Sequence, residues 1–448
     1  MKIGFIAMSG VRACDEELLR LGLTLPGFVE RSKTIASLPS LGLLTLAGMT
    51  PDRHEVVYLD VQDIDGVSMN WSTFDLVAIS TFTAQAPEAY ELADRCRAGV
   101  GGAKVVMGGL HVTCLPDEAL EHCDAVVVGE GELCWPDVLA DAERGALRAK
   151  YLSKPREFDL ANAPMPAYHL LDMDKYNRIT VQTSRGCPWK CEFCASSILL
   201  TPKYKQKPME KVLAEVDRIR ELWPRPFIEF ADDNSFVDRR YWKKLLPELA
   251  KRHIKWFTET DISVGGDDEL LALMREAGCA EVLIGLESPS EQGMRGLELK
   301  ADWKRKQRGD YLRLVHNIQS HGIRVNGCFV LGLDGQTPDI FDRVYDFARE
   351  LELYDVQITL QTPFPGTPLY ERLRRSGRLL EKSAWKRCTL FDLTFEPTPM
   401  SAGELVGGFR DLAVRLYSDE VTNWRRELFK EKYRRVANGS TAPRRVSA

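Results

Sequence analysis

The chain of 448 residues has a formal net charge of −5 and 44% hydrophobic residues, enough apolar material for two or three packed domains. That balance excludes a disordered chain and argues against a nucleic-acid partner. The 11 cysteines, an odd number that is scattered singly apart from one group, exclude a disulfide framework.

The N-terminal Met-Lys-Ile-Gly-Phe-Ile-Ala-Met reads as a first strand without a signal-peptide h-region, and no apolar run reaches bilayer-spanning length, so a cytoplasmic protein is the expectation. To about residue 145, Val- and Ile-rich runs at Lys2–Met8, Glu55–Leu59, Leu76–Ser80, Lys104–Met107 and Ala125–Val128 alternate with helical spacing over Ser40–Gly48, Pro87–Arg97 and Leu133–Glu143. This α/β alternation predicts an N-terminal doubly wound parallel sheet of about five strands, a domain of residues 1–147. Ligands of such sheets sit beyond the carboxyl ends of the strands. Those ends carry Thr81-Phe82-Thr83, Gly108-Gly109-Leu110-His111 and Gly129-Glu130-Gly131-Glu132, where small residues let a ligand approach the backbone. One such end is an ordinary turn; three together predict a pocket. No GxGxxG follows the first strand, which disfavours a dinucleotide.

A linker with Pro155, Pro164 and Pro166 is expected over 148–178. Alternation resumes over 179–375, with strands at Ile179–Thr183, Phe227–Phe230, Trp256–Thr260, Glu281–Ile284, Arg324–Val330 and Val356–Gln361 and helices between them. Repeated βα units of this length predict a partial or full TIM-like βα barrel. Residues 376–448 read as a mostly helical segment with a basic tail. Over 401–436, Leu416, Val421, Trp424, Leu428 and Val436 line one side while Arg425, Arg426, Lys430, Lys432, Arg434 and Arg435 crowd the rest. Contact with an anionic membrane surface is one reading; a helix docked on the barrel with a solvated basic face is the favoured one. The last dozen residues read as disordered.

The densest chemistry is Thr183-Ser184-Arg185-Gly186-Cys187-Pro188-Trp189-Lys190-Cys191-Glu192-Phe193-Cys194, directly after the first barrel strand. Three thiolates on one loop can hold three irons of a cubane cluster and leave the fourth iron open. Structural zinc is the weaker reading, because a fourth ligand at matching spacing is missing. A remote fourth cysteine, such as Cys279 or Cys328, stays open on spacing alone.

The CxxxCxxC spacing in its Thr-Ser-Arg-Gly-Cys-Pro context resembles the signature of the radical S-adenosylmethionine (radical SAM) enzymes. Phe230 to Asn234, Trp256 to Asp261, Ile284 to Ser288 and Phe329 to Leu333 resemble the successive strand ends of that family's barrel. Leu38 to Leu44, Gly108 to His111 and Val128 to Glu132, ahead of such a barrel, are similar to the Rossmann-like domain of the cobalamin-binding subfamily. Thr362 to Tyr370 and Leu390 to Pro397 loosely resemble the end of the hopanoid methylase and magnesium-protoporphyrin cyclase branch.

The resemblance implies a [4Fe-4S] cluster on Cys187, Cys191 and Cys194, with S-adenosylmethionine on the open iron and cleaved to a 5'-deoxyadenosyl radical. It implies Phe193 against the adenine, and Asp232, Asp233, Glu259, Gly285 and Glu287 around the rest of that cofactor. It further implies cobalamin near Ser40, Leu41, Thr81, Phe82, Thr83, Gly108, Gly109, His111, Gly129, Glu130 and Gly131. The Asp-x-His-x-x-Gly loop that ligates cobalt in many cobalamin proteins is absent after the first strand, and His111 has the wrong context to replace it, so cobalamin is expected without a protein imidazole on the metal. The expected reaction is methylation of an unactivated carbon in a bulky, fairly apolar lipid or natural product, with electrons from a reductant such as a flavodoxin or ferredoxin. Radical cyclisation, rearrangement or oxidation without methyl transfer is the alternative. A non-catalytic metal-binding module is a third reading, which the acidic composition disfavours.

Overall fold

The computed structural model describes residues 1–9, 13–20, 38–98, 101–153, 158–200 and 203–437; Pro155 and the tail read as disordered lie outside the described residues. Six parallel strands form the first sheet: β1 (Lys2–Met8), β2 (Glu55–Val61), β3 (Leu76–Ser80), β4 (Lys104–Gly108), β5 (Ala125–Val128) and β6 (Lys150–Leu152), in the order β2-β1-β3-β4-β5-β6. The sheet thus gains a sixth strand inside the stretch expected as linker. Lys150 to Leu152 alternates exposed and buried positions, an edge-strand pattern too short to stand out in sequence.

Both faces of this sheet are covered, because its strands are nearly continuous apolar runs. Val77, Ile79, Val105 and Met107 pack under the Ala86–Arg97 helix with Ala89, Leu92 and Ala93. Ile3, Phe5 and Val106 pack on the other face with Leu43, Trp135 and Val138, from the helices Leu41–Gly48 and Gly131–Glu143. Each such side chain contributes about 1.5–3 kcal/mol by leaving water. Strand order reverses between β1 and β3, which opens a crevice at their carboxyl ends.

The second sheet is also parallel and runs in strict chain order: β7 (Ile179–Val181), β8 (Phe227–Ser235), β9 (Lys255–Thr260), β10 (Cys279–Glu287), β11 (Arg324–Leu331) and β12 (Asp355–Leu360). β7 and β12 do not pair, so the barrel is partial and its open side is available to other parts of the chain. Period-2 alternation sorts each strand. In β8, Ile228, Phe230 and Asp232 are buried beneath the outer helices, while Glu229, Ala231 and Asp233 face the lumen. Phe230, Phe236, Trp242 and Trp256 form an aromatic cluster between β8, β9 and the Arg239–Ala250 helix.

Beyond β12 come a short helix, Pro368–Arg375, and then two helices, Ala402–Tyr417 and Asp419–Ala437. Leu405, Phe409, Leu412 and Leu416 of the first pack into the barrel core. One sequence expectation is corrected on the second: Arg425 is 1% exposed and lies 3.7 Å from the equally buried Asp355 at the start of β12. The residue assigned to a solvated basic face is instead a plug in the barrel floor. Arg425→Ala removes a buried charge facing the Asp355 carboxylate and the packing of its long side chain, so it should destabilise the chain by about 3–5 kcal/mol; chemical denaturation measures the loss.

Candidate functional site

The cysteine loop is held by the acid one residue before the lumen-facing Asp233. Asp232 accepts the backbone N–H of Thr183 at 2.7 Å and of Ser184 at 2.9 Å, and the hydroxyls of Thr183 and Ser235. Burial pushes its carboxyl up, and the donors pull it back. Asp232 is therefore a latch for the chain entering the loop, and it does not line the cavity at the barrel mouth. Asp233, next along the strand, accepts the Gly186 N–H at 2.5 Å and the Ser196 hydroxyl.

All three loop cysteines line one cavity of about 340 Å³ at the carboxyl mouth of the barrel, together with Phe193, Asp233, Glu259, Gly285 and Glu287. The thiols feel one another's charge, and Asn234 Nδ2 lies 3.6 Å from Cys187 Sγ. Burial pushes the Cys187 thiol up and the Cys191 thiol up to about 12, so iron binding must displace their protons. Among the described residues no three His, Cys, Asp or Glu side chains converge tightly enough for one metal ion. A cubane takes one thiolate per iron and so uses thiols that ring a space. Of the two remote cysteines, Cys279 is buried at the start of β10 away from the cavity, whereas Cys328 lines it. The charges acting most on Cys328 are those of Glu287, Glu259 and Lys304, not the loop thiols, and burial raises its pKa.

The remaining lumen residues form a polar ring. Glu287, at φ 62°, pairs with Lys304. Burial alone would depress the Lys304 ammonium, but the Glu287 charge outweighs it and the group is held above its ordinary range. A Cβ at Gly285 would lie 2.4 Å from Glu287 Oε1, so a side chain there would displace the ends of that pair. Glu259 is exposed to the cavity, which is ringed by protein. Lost hydration, then the charges of Glu229 and Asp233, push it up to about 7. Phe193 packs against Leu297, Val330 and Leu333. Asn234 and Asp261, at the ends of two stretches that carried the resemblance, also line the cavity, as do Lys304, Gln357 and Thr359, which carried no sequence signal because they belong to a lumen that only strand register assembles.

A second cavity of about 340 Å³ lies between the two sheets. Gly108, Gly109, Gly129, Glu130 and Gly131 line it from the first domain with Gly42, Leu43 and Trp135, and Gln182, Arg185, Ala231 and Asp233 line it from the barrel. A Cβ added at Gly42 meets nothing within 4 Å and would stand in the cavity. Gly109 and Gly129 serve the chain as well, since both hold φ near +100° (101° and 92°) and their Cβ atoms would crowd Thr81 O and Ser153 Oγ. Glu130 is engaged across the boundary by Arg185 at 3.2 Å and Lys205 at 2.8 Å, and Arg185 also pairs with Glu132.

Six residues expected here do not line this cavity. Ser40 caps its helix, accepting Leu43 N–H at 3.4 Å and donating its own N–H to Tyr58 Oη at 2.7 Å, and Leu41 follows it at the helix start. Thr81 and Thr83 are buried in the turn after β3, and Phe82 is 62% exposed. His111 is fully buried, with Nε2 3.1 Å from Tyr90 Oη and 3.3 Å from Glu118, and edge-on to Trp385. It ties the first domain to the C-terminal segment, because the helix Leu110–Cys114 turns it away from the strand ends.

A thiol-ringed barrel mouth facing a cofactor-sized cleft on a doubly wound sheet defines a two-cofactor barrel protein. Residues 181–348 match the Radical SAM superfamily, residues 33–139 the B12 binding domain and residues 367–446 a domain of unknown function (DUF4070). An uncharacterized methyltransferase of Synechocystis sp., sll1242, is 31% identical over 385 residues, covering 84% of this chain and 70% of the relative. Hopanoid C-2 methylase of Rhodopseudomonas palustris is 28% identical over 396 residues, covering 86% and 72%. The solved structure of the radical S-adenosylmethionine methyltransferase TsrM from Kitasatospora setae, with cobalamin and a [4Fe-4S] cluster bound, shares the fold with a TM-score of 0.67 at 16% identity, over 98% of this chain and 99% of that one. The chain belongs to the cobalamin-binding radical SAM enzymes, whose cofactors are a [4Fe-4S] cluster, S-adenosylmethionine and cobalamin.

Two outcomes check this site. Cys191→Ala should abolish iron and sulfide uptake on anaerobic reconstitution while circular dichroism stays unchanged. Because the Glu259 carboxyl is raised, its contribution to stability is complete below its ordinary value and disappears as pH rises through about 7. Glu259→Gln should therefore gain thermal stability relative to the parent chain between about pH 5 and about pH 8, measured by scanning calorimetry across that window.

Proposed function

We propose that the chain transfers a methyl group to an unactivated carbon of a bulky, fairly apolar lipid or natural product. One observation carries this reading: Asp233 lines both cavities, so the thiol-ringed space and the interdomain space meet at a single side chain. When bound, the cofactors supply a radical that removes a hydrogen atom from the substrate and a methyl group for the carbon so exposed.

The protein's part is position and exclusion. Cys187, Cys191 and Cys194 hold the cluster, with Asn234 beside Cys187 and Asp261 receiving both Asn234 Nδ2 at 3.0 Å and Trp189 Nε1 at 3.0 Å. Asp233, Glu259 and the Glu287–Lys304 pair offer fixed charges for the polar groups of S-adenosylmethionine. Leu283, Val330, Leu360, Phe364 and Leu390 supply apolar wall for a substrate and keep water from the reacting carbon. Gly108, Gly109, Gly129 and Gly131 would hold the cobalamin, which would supply the methyl group, while His111 is buried outside this cavity and engaged by Tyr90 and Glu118.

The test is product analysis with the reconstituted chain and polycyclic candidates of the hopanoid and tetrapyrrole kinds. S-adenosylhomocysteine formed together with 5'-deoxyadenosine and a methylated product is the expected result. Deoxyadenosine with an altered but unmethylated product would overturn the methyl-transfer step in favour of cyclisation, rearrangement or oxidation.

A further inference from the structure

Although the chain as a whole is acidic, residues 295–308 hold six basic side chains, Arg295, Lys300, Lys304, Arg305, Lys306 and Arg308, against two acidic ones, Glu298 and Asp302. This segment is stitched to the back of the cysteine loop. Leu299 N–H donates to Lys190 O at 2.8 Å, Glu192 N–H to Leu297 O at 2.9 Å, and Lys190 N–H to Glu298 Oε1 at 3.2 Å. Cys191 and Glu298 form an antiparallel bridge, and Trp303 stacks on Trp189 with ring centroids 4.4 Å apart.

Three of the six cations are engaged internally. Lys304 pairs with Glu287, Arg305 with Asp302 and Glu291, and Arg308 Nε donates to Pro289 O at 2.9 Å. Arg295, Lys300 and Lys306 are exposed and form no ion pair among the described residues. Between them the apolar Leu299 stands 51% exposed, on the strand segment paired directly to the loop that carries the buried Cys191. The segment behind the cluster loop thus carries an exposed apolar residue flanked along the chain by exposed cations, in a chain of opposite net sign.

We propose that this face docks a small acidic one-electron carrier protein, of the flavodoxin or ferredoxin kind. The inference rests on the cluster assignment of the proposed function. One electron passes from the reduced carrier to the cluster held by Cys187, Cys191 and Cys194; the carrier is oxidised by one electron, the cluster is reduced by one, and no atom is transferred. Rim charges of this type set encounter rate and salt dependence more than final affinity, and small contact areas suit the transient encounters of electron transfer.

The test is the triple variant Arg295→Glu, Lys300→Glu, Lys306→Glu in the full-length reconstituted chain. Reduction of its cluster by prereduced flavodoxin, followed by stopped-flow bleaching, should slow at least about tenfold at low ionic strength and lose its salt dependence. Reduction by dithionite, which needs no docking, should stay within about twofold of the parent. An unchanged flavodoxin rate with unchanged salt dependence would overturn the proposal. Should the triple variant also lose dithionite reduction, Lys300→Glu and Lys306→Glu singly decide, with a flavodoxin rate about threefold lower in each supporting the face and equal rates refuting it. Titration of the cluster-free chain with oxidised flavodoxin reads the same surface without iron. There, binding retained in the triple variant refutes the docking face, whereas failure of the parent to take up any cluster counts against the proposed function alone.

Discussion

The carboxylate of Asp232 gathers four donors, two backbone N–H groups and two hydroxyls, at the point where the chain leaves β7 and turns into the cysteine loop. A buried acid is tolerated only when its oxygens are satisfied in this way. Here that requirement fixes the direction in which Cys187, Cys191 and Cys194 leave the strand. Because side chains alternate along a strand, the same constraint sends the neighbouring Asp233 into the lumen. Two adjacent acids of identical chemistry thereby take different work, one holding the loop and one facing the ligand space.

The interdomain contact has a similar logic at a larger scale. Arg185 leaves the same loop on the opposite side and is shared between Glu130 and Glu132, while Lys205 closes on Glu130 from the short ribbon formed by Ser184–Arg185 and Lys205–Gln206. Arg185 is mostly removed from water, where a planar, always-charged guanidinium is the suitable partner for two carboxylates. The loop that carries the cysteines is thus also the element that registers the first domain against the barrel. The two cavities meet beside it at Asp233.

Charge is also what seals the far end of the barrel. Arg425 reaches from the last helix to Asp355 at the start of β12, and Glu281 sits fully enclosed nearby, its carboxyl pushed well above its ordinary range by burial and then by Asp355. Closing the lumen with polar groups at the floor and leaving apolar walls higher up gives the barrel one usable opening, at the carboxyl ends of its strands. The thiols, the acids and the interdomain cleft all lie there.

Strand and helix positions were largely legible in the sequence, because apolar runs of period 2 and period 3.6 report local burial directly, and the cysteine spacing carried the family resemblance because three thiols lie within eight residues. The sixth strand escaped notice, being three residues long at an edge. Strand-end glycines pointed to the interdomain cavity, whereas His111, Ser40, Thr81 and Phe82, close to them in sequence, do not line it. What a strand-end residue faces depends on which way the next turn rotates it. Asp232 and Asp233 could be separated only by register, Arg425 only by the helix docking that buries it, and Lys304 and Arg185 only by partners 17 and 55 residues away. Local patterning and short-range ligand spacing are properties of the chain itself; which polar groups meet across a lumen or a domain boundary is a property of the packed whole, because it is set by long-range contacts that no single segment encodes.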